Sequence, residues 1–194
     1  MTTLNEAFAA AGAAAWGGLP FCELAADMTA EAVAKAEQLC PDPRTVLVAA
    51  FPYYAGEGPG NLSLYARGRD YHQVVTARLN TICNFLKKEY KNSRFFPAAD
   101  NSPLAERQAA WRSGIGLRGK NGLVILPPYG SYVFLGTILT DEPLELPPCT
   151  PSPDCVGCGR CLTACPGGAL GEGGVAGSRC LSDLTQKKGE LTPE

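Results

Sequence analysis

Val75, Leu79, Ile82, Leu86 and Tyr90 recur at i, i+4, i+7, i+11 and i+15. That spacing lays one apolar stripe along a helix from about Tyr71 to Tyr90. Asp27 to Leu39 also reads as a helix. Thr45 to Tyr53 (TVLVAAFPY) is a continuous apolar run, bounded by Pro41 and Pro43 before it and by Gly56 to Gly60 after it, and predicts a buried strand. A further helix is expected to open with Ser102 as N-cap and Pro103 at its first position, and to end at Gly114. LVIL at Leu123 to Leu126, the turn PPYG and SYVFLGTILT predict a hairpin leading out of the domain. Prolines at 143, 147, 148, 151 and 153, then cysteines and glycines, put a boundary near residue 148 with a small loop-rich unit after it. No internal repeat is present.

At 194 residues and 45% hydrophobic content, the chain has room for one ordinary domain and a small appendage. The Ala-rich stretch Ala7 to Trp16 lacks a basic n-region and is interrupted by glycine, so it reads as neither a signal peptide nor a membrane span. A soluble cytoplasmic protein is expected. The net charge of −2 conceals a basic middle: Asn61 to Lys120 carries eleven Lys/Arg against four Asp/Glu, the remainder six against fifteen. Such a segment can steer a polyanion to one face, or be a solvated helix face.

Nine cysteines in a reducing compartment need a use other than disulfides. Cys155-x2-Cys158-x2-Cys161-x3-Cys165-Pro166 has the bacterial ferredoxin spacing for a four-iron, four-sulfur cluster, in which three thiolates converge on one cube and the fourth reaches a second. Zinc sites favour two CxxC or CxxH pairs with a longer spacer, so zinc is the weaker reading. Glycines 157, 159, 167 and 168 let backbone amides approach inorganic sulfide. Cys180 is the one further thiol placed to join a second site, and Cys149 could be recruited. Cys22, Cys40 and Cys83 read as small buried hydrophobes.

Gly114-Ile-Gly116-Leu-Arg-Gly119 matches a dinucleotide fingerprint as a string, but follows a helix and opens a strand, the reverse of the required context. The overlapping phosphate-loop string has Asn121 where Ser or Thr would bind magnesium. Both are rejected as nucleotide sites; the glycines imply a loop that approaches something flat or bulky. His72, the only histidine, reads either as a residue at the start of a helix or as a cofactor contact.

With these motifs in order, the chain from about Leu62 onward resembles the epoxyqueuosine reductases, cobalamin- and iron–sulfur-dependent enzymes of queuosine synthesis in tRNA. The resemblance rests on YARGRDYH (Tyr65 to His72), DNSPLAER (Asp100 to Arg107), SGIGLRGKN (Ser113 to Asn121), GSYVFLGTILT (Gly130 to Thr140), the cysteine motif and RCLSDLTQKKG (Arg179 to Gly189). Leu117 stands where the family commonly has Trp, Gly167 where it has Thr, and Asp183 where an aromatic is usual. The family's second cysteine motif lies beyond Glu194, so a C-terminal truncation is expected.

The resemblance implies an α/β (α+β) fold: a nitroreductase-like cobalamin- and substrate-binding domain over residues 1–148 and an incomplete ferredoxin-like [4Fe–4S] unit over 149–194. It implies an oxidoreductase that reduces epoxyqueuosine in tRNA, with an external electron donor, acting as a monomer without a membrane. Asp100 holds the position of the proton donor; burial against a corrin face would keep such an acid neutral, although Asp in DNSP also suits a turn. By position Arg67, His72, Val124, Leu126, Leu135, Ser182, Thr185, Gln186 and Lys188 are implied cobalamin contacts. Cys155, Cys158, Cys161, Cys165 and Cys180 are the implied metal ligands. The alternatives are a reductive dehalogenase, which shares both cofactors, and a ferredoxin-type carrier, which has no use for a corrin. By ligand count the chain alone is expected to hold one cluster and to be a poor enzyme.

Overall fold

The computed structural model describes residues 2–56, 58–60, 62–171 and 174–189. Asn61, where the basic segment begins, and Glu194, where the resemblance ends, lie outside them. Four antiparallel strands form the central sheet: β1 (Ala15–Pro20), β2 (Thr45–Pro52), β3 (Phe95–Ala98) and β6 (Val133–Thr140), in the order β1-β2-β6-β3. Between β3 and β6 in sequence, the short strands β4 (Leu117–Arg118) and β5 (Val124–Ile125) pair with each other, and Arg118 of β4 also bridges to Asp154.

Helices cover both faces of the sheet, which is why β2 is apolar at consecutive positions rather than at alternate ones. Leu47, Ala49 and Phe51 point to a core shared with α1 (Thr2–Ala10) and α4 (Tyr71–Glu89). Val46, Val48 and Ala50 point to a second core, shared with α2 (Phe21–Ala25), α3 (Ala30–Leu39) and α5 (Glu106–Arg112). The stripe of α4 is buried as its spacing predicts, at Val75, Leu79, Ile82 and Leu86, with Tyr90 half-buried. Asp70 caps this helix, its carboxylate accepting the His72 amide at 3.0 Å.

Several expectations need correction. The helix expected from Asp27 starts at Ala30, because the Thr29 hydroxyl accepts the Ala32 amide and caps it there; Asp27 instead pairs with Arg112 at 2.5 Å. Ser102 accepts the Leu104 amide within a turn, and α5 begins only at Glu106. Across PPYG a single antiparallel bridge joins Leu126 to Gly130, but the strand in SYVFLGTILT does not pair with LVIL: it is β6, central in the sheet between β2 and β3. Cys22 is exposed, whereas Cys40 and Cys83 are buried as expected.

Beyond β6 the chain forms α6 (Arg160–Ala164), the strands β7 (Leu170–Gly171) and β8 (Gly174–Val175), and α7 (Leu181–Gln186). Main-chain bonds tie this stretch back to the rest: the Ser152 amide donates to Trp111, the Arg118 amide to Pro153 and the Cys155 amide to Arg118. No helix among the described residues is long and apolar enough to cross a membrane.

Candidate functional site

A cavity of about 1330 Å³ opens beside the ends of β2 and β6. Pockets for drug-sized ligands run roughly 300–1,000 Å³, so this one suits a larger group. Tyr53, Val133, Phe134 and Leu135 form its floor, Leu104 to Gln108 and Trp111 one wall, and the loop from Arg118 to Val124 another. Asp154, Cys155, Gly171, Gly174, Val175 and Ser182 bring the cysteine-bearing stretch to its edge. Among the expected site residues, Asp100, Val124, Leu135, Ser182 and Cys155 line it together.

Asp100 follows β3 in a left-handed conformation, φ 65°, rare for a residue other than glycine. Three neighbours hold it there. The Tyr71 hydroxyl donates to its Oδ2 at 2.8 Å, His72 Nε2 lies 3.5 Å from the same oxygen, and the Asp100 amide donates to Glu106 Oε1 at 3.0 Å. His72 Nδ1 meets Asp70 at 2.8 Å, and that hydrogen bond, with the two nearby carboxylates, raises its pKa. His72 therefore both contacts the start of a helix and faces Asp100. Burial pushes the Glu106 carboxyl up to about 7, with the Asp100 charge adding to the shift and the Asp100 amide and His72 opposing it. Tyr71 is held protonated by burial and by the Asp100 hydrogen bond. The site thus gathers a carboxylate, a phenol, an imidazole and a second acid that titrates near neutrality.

The other expected contacts have visible local partners. Arg67 donates to the carbonyls of Gly58, Gly60 and Leu62 and so ties its own loop. Leu126 is in the core. Thr185 and Gln186 hydrogen-bond to Ser182 within α7, and Lys188 is exposed. Trp111 and Glu106 were not singled out from the sequence, and the Trp111 indole N–H is buried without a protein partner. That orphan donor suits a large ligand with carbonyls on its rim, as a corrin has.

In the cysteine segment, Gly157 and Gly159 take positive φ angles of 70° and 73°, and a Cβ on either would meet nothing within 4 Å. The amides of Gly157 and Lys120 draw the Cys155 thiol below its ordinary pKa, as a thiolate ligand requires. The Ala169 amide lies 3.3 Å from Cys165 Sγ. Gly167 packs on the Arg179 carbonyl, bringing the backbone next to Cys165 against that next to Cys180; a Thr there would collide. Among the described residues no three His, Cys, Asp or Glu close to single-ion distance. Thiolates around a cubane stand farther apart than around one ion, and the amide contacts at Cys155 and Cys165 are of the kind that cluster thiolates receive. The glycine-rich string rejected as a nucleotide site is the cradle of Cys155. The close approach its glycines imply is to the chain's own backbone: a Cβ on Gly114 would lie 2.8 Å from the Thr150 carbonyl, and one on Gly116 2.7 Å from that of Ile125.

The family model described as "Epoxyqueuosine reductase QueG, DUF1730" matches residues 34–100. The epoxyqueuosine reductase of Bacillus subtilis is 42% identical over 129 residues, covering 66% of this chain and 33% of that protein. That of Listeria monocytogenes is 38% identical over 164 residues, covering 78% and 43%. A structure of epoxyqueuosine reductase with an epoxyqueuosine-modified tRNA-Tyr stem loop superposes with a TM-score of 0.80 at 27% identity, covering 99% of this chain and 58% of that one. Another, of the Bacillus subtilis enzyme with its catalytic aspartate loop swung out of the active site, gives 0.79 at 26%, covering 99% and 58%. The reductive dehalogenase NpRdhA shares the fold alone, with a TM-score of 0.52 at 16% identity, covering 96% and 24%. The chain spans a third to a half of the length of these curated relatives, and it belongs to the epoxyqueuosine reductase family.

Proposed function

We propose that this chain carries the active cavity of an epoxyqueuosine reductase: it binds cobalamin and the modified anticodon loop of tRNA, and removes the epoxide oxygen as water. The observation that carries this reading is the cavity itself, which Asp100 and Cys155 both line. Residues 1–148 act as a nitroreductase-like domain holding cofactor and substrate, and 149–194 as a ferredoxin-like unit. Val124, Leu135, Ser182 and Trp111 contact the corrin, with Arg67, His72, Leu126, Thr185, Gln186 and Lys188 at its periphery. Cys155, Cys158 and Cys161 hold a [4Fe–4S] cluster, and Cys165 and Cys180 serve a second. Bound cobalamin supplies low-potential electrons to the epoxide. Overall, two electrons and two protons turn the epoxide into an alkene and water.

Asp100 supplies a proton to the leaving oxygen, and Tyr71 and His72 set the direction of its carboxyl group. The side chain is exposed in the protein alone, open to a substrate in the cavity. Basic residues between 61 and 120 take the tRNA phosphates. Arg94, Arg112 and Arg118 contribute least there, being ion-paired to Asp141, Asp27 and Asp154. An external donor feeds the clusters, and the protein works as a cytoplasmic monomer.

The test is nucleoside analysis of tRNA from a host lacking the enzyme, with and without this gene. Epoxyqueuosine should convert to queuosine at least in part, and Asp100→Asn should abolish conversion while cobalamin still binds. No conversion by a protein loaded with cobalamin and iron would overturn the activity. Conversion by Asp100→Asn would remove that residue from the chemistry.

A further inference from the structure

Behind the floor of the large cavity lies a second one of about 210 Å³. It is too small for a corrin and has the scale of one nucleobase. Tyr53, Tyr65, Tyr71 and Phe134 line both cavities, so their rings form the partition between them. The partition is a ring stack: Phe134 lies parallel to Tyr71 at 4.4 Å between centroids and against Tyr53 at 4.2 Å. Tyr65 stands edge-on to Tyr71 at 6.4 Å and is about half exposed. Two guanidinium groups complete the lining, those of Arg69 and Arg78. Arg78 is anchored over the Phe51 ring and toward the Gly12 carbonyl. Arg69 is exposed and makes no ion pair among the described residues, and no acidic side chain is among the described lining residues. In YARGRDYH, Tyr65 faces both cavities beside Tyr71, whereas Arg69 lines the small one and not the large one.

We propose that this small cavity takes the base of a nucleotide next to the reacting one in the tRNA loop, stacked on Tyr65, with its phosphate on Arg69. The inference rests on the reading of the protein as acting on tRNA. Its support is the continuity of the two cavities through one aromatic wall, together with the wholly cationic charge of the lining. Aromatic rings accept any unstacked base face, and arginine complements a phosphate. The occupant is therefore read by shape and charge, with little demand on base identity.

The test uses the full chain and a fluorescently labelled anticodon stem-loop RNA with unmodified guanosine at the target position, followed by anisotropy. Tyr65→Ala should weaken binding roughly 5- to 150-fold, the range for loss of one base–aromatic stack, and Tyr65→Phe should restore it. The decisive arm removes one base from the RNA beside the target, on either side in turn. With one of these abasic RNAs, Tyr65→Ala should have no further effect. Arg69→Ala should lower the slope of log affinity against log salt by about one phosphate contact. Equal weakening of intact and both abasic RNAs by Tyr65→Ala, or no weakening, would overturn the proposal while leaving tRNA binding intact. Failure of the wild-type chain to bind any stem-loop would instead overturn the reading beneath it.

Discussion

Glu106 lies half-buried beneath the loop that carries Asp100, accepting that residue's amide. Its pKa is raised from 4.5 to about 7, chiefly by burial, so the folded state holds the proton more tightly than the unfolded chain. The resulting stabilisation is complete below about pH 4.5 and is lost as pH rises through 7, at most roughly 3 kcal/mol at 1.36 kcal/mol per unit. Glu106→Gln keeps an oxygen for the Asp100 amide and cannot titrate. It should match the wild type at pH 5 and exceed it at pH 8 in urea midpoint. His72, whose pKa is also raised, loses stability in the same direction, so the difference between the two proteins reports Glu106 together with its charge coupling to His72. Parallel pH profiles would contradict the assignment. Asp100 was legible in the sequence through DNSPLAER, whereas Glu106 in the same string was not. A raised acid depends on what packs over it, and residue order carries no record of that.

At the scale of elements, α4 and β2 were legible because each pattern is self-contained: a stripe at helical spacing and an apolar run between breakers. β6 was read as a hairpin arm because PPYG is a local turn signal, while its partners β2 and β3 are distant in sequence. β1, with sequence AWGGLP, carries two glycines and a proline and has little strand propensity. It forms because a bare backbone fits there: a Cβ on Gly17 would lie 2.7 Å from Ser113 Cβ. The β4–β5 pair invites a direct test. At Gly116, φ is 72° and an added Cβ would sit 2.7 Å from the Ile125 carbonyl. Gly116→Ala should cost about 1–3 kcal/mol and lower the melting temperature by several degrees. Loosening this loop withdraws the Lys120 amide, so Cys155 should also react more slowly with iodoacetamide at pH 7. An unchanged melting temperature would show that the loop can move aside.

For the whole molecule, spacing alone made the cysteine motif legible, since it is local. The convergence of Asp100, Cys155 and Ser182 on one cavity was visible only through family resemblance, and the place of Trp111 in it was not visible at all. Their sequence separation hides a contact that the fold creates. Anaerobic reconstitution should yield about four irons and four acid-labile sulfides per chain, since Cys155, Cys158, Cys161 and one further thiol complete one cubane. Stoichiometric zinc without sulfide would sink the cluster assignment.

The three main-chain bonds that join residues 152–155 to Trp111 and Arg118 bear on how the cavity is filled. A clamshell would have to part this seam each time it admitted a ligand, at about 1 kcal/mol for each bond broken, and would impose a gating step on uptake. A sewn seam leaves the mouth standing, so a cofactor taken up there would enter by diffusion through a fixed opening. Stopped-flow uptake should then be second order, its rate proportional to cofactor concentration without an opening step to saturate.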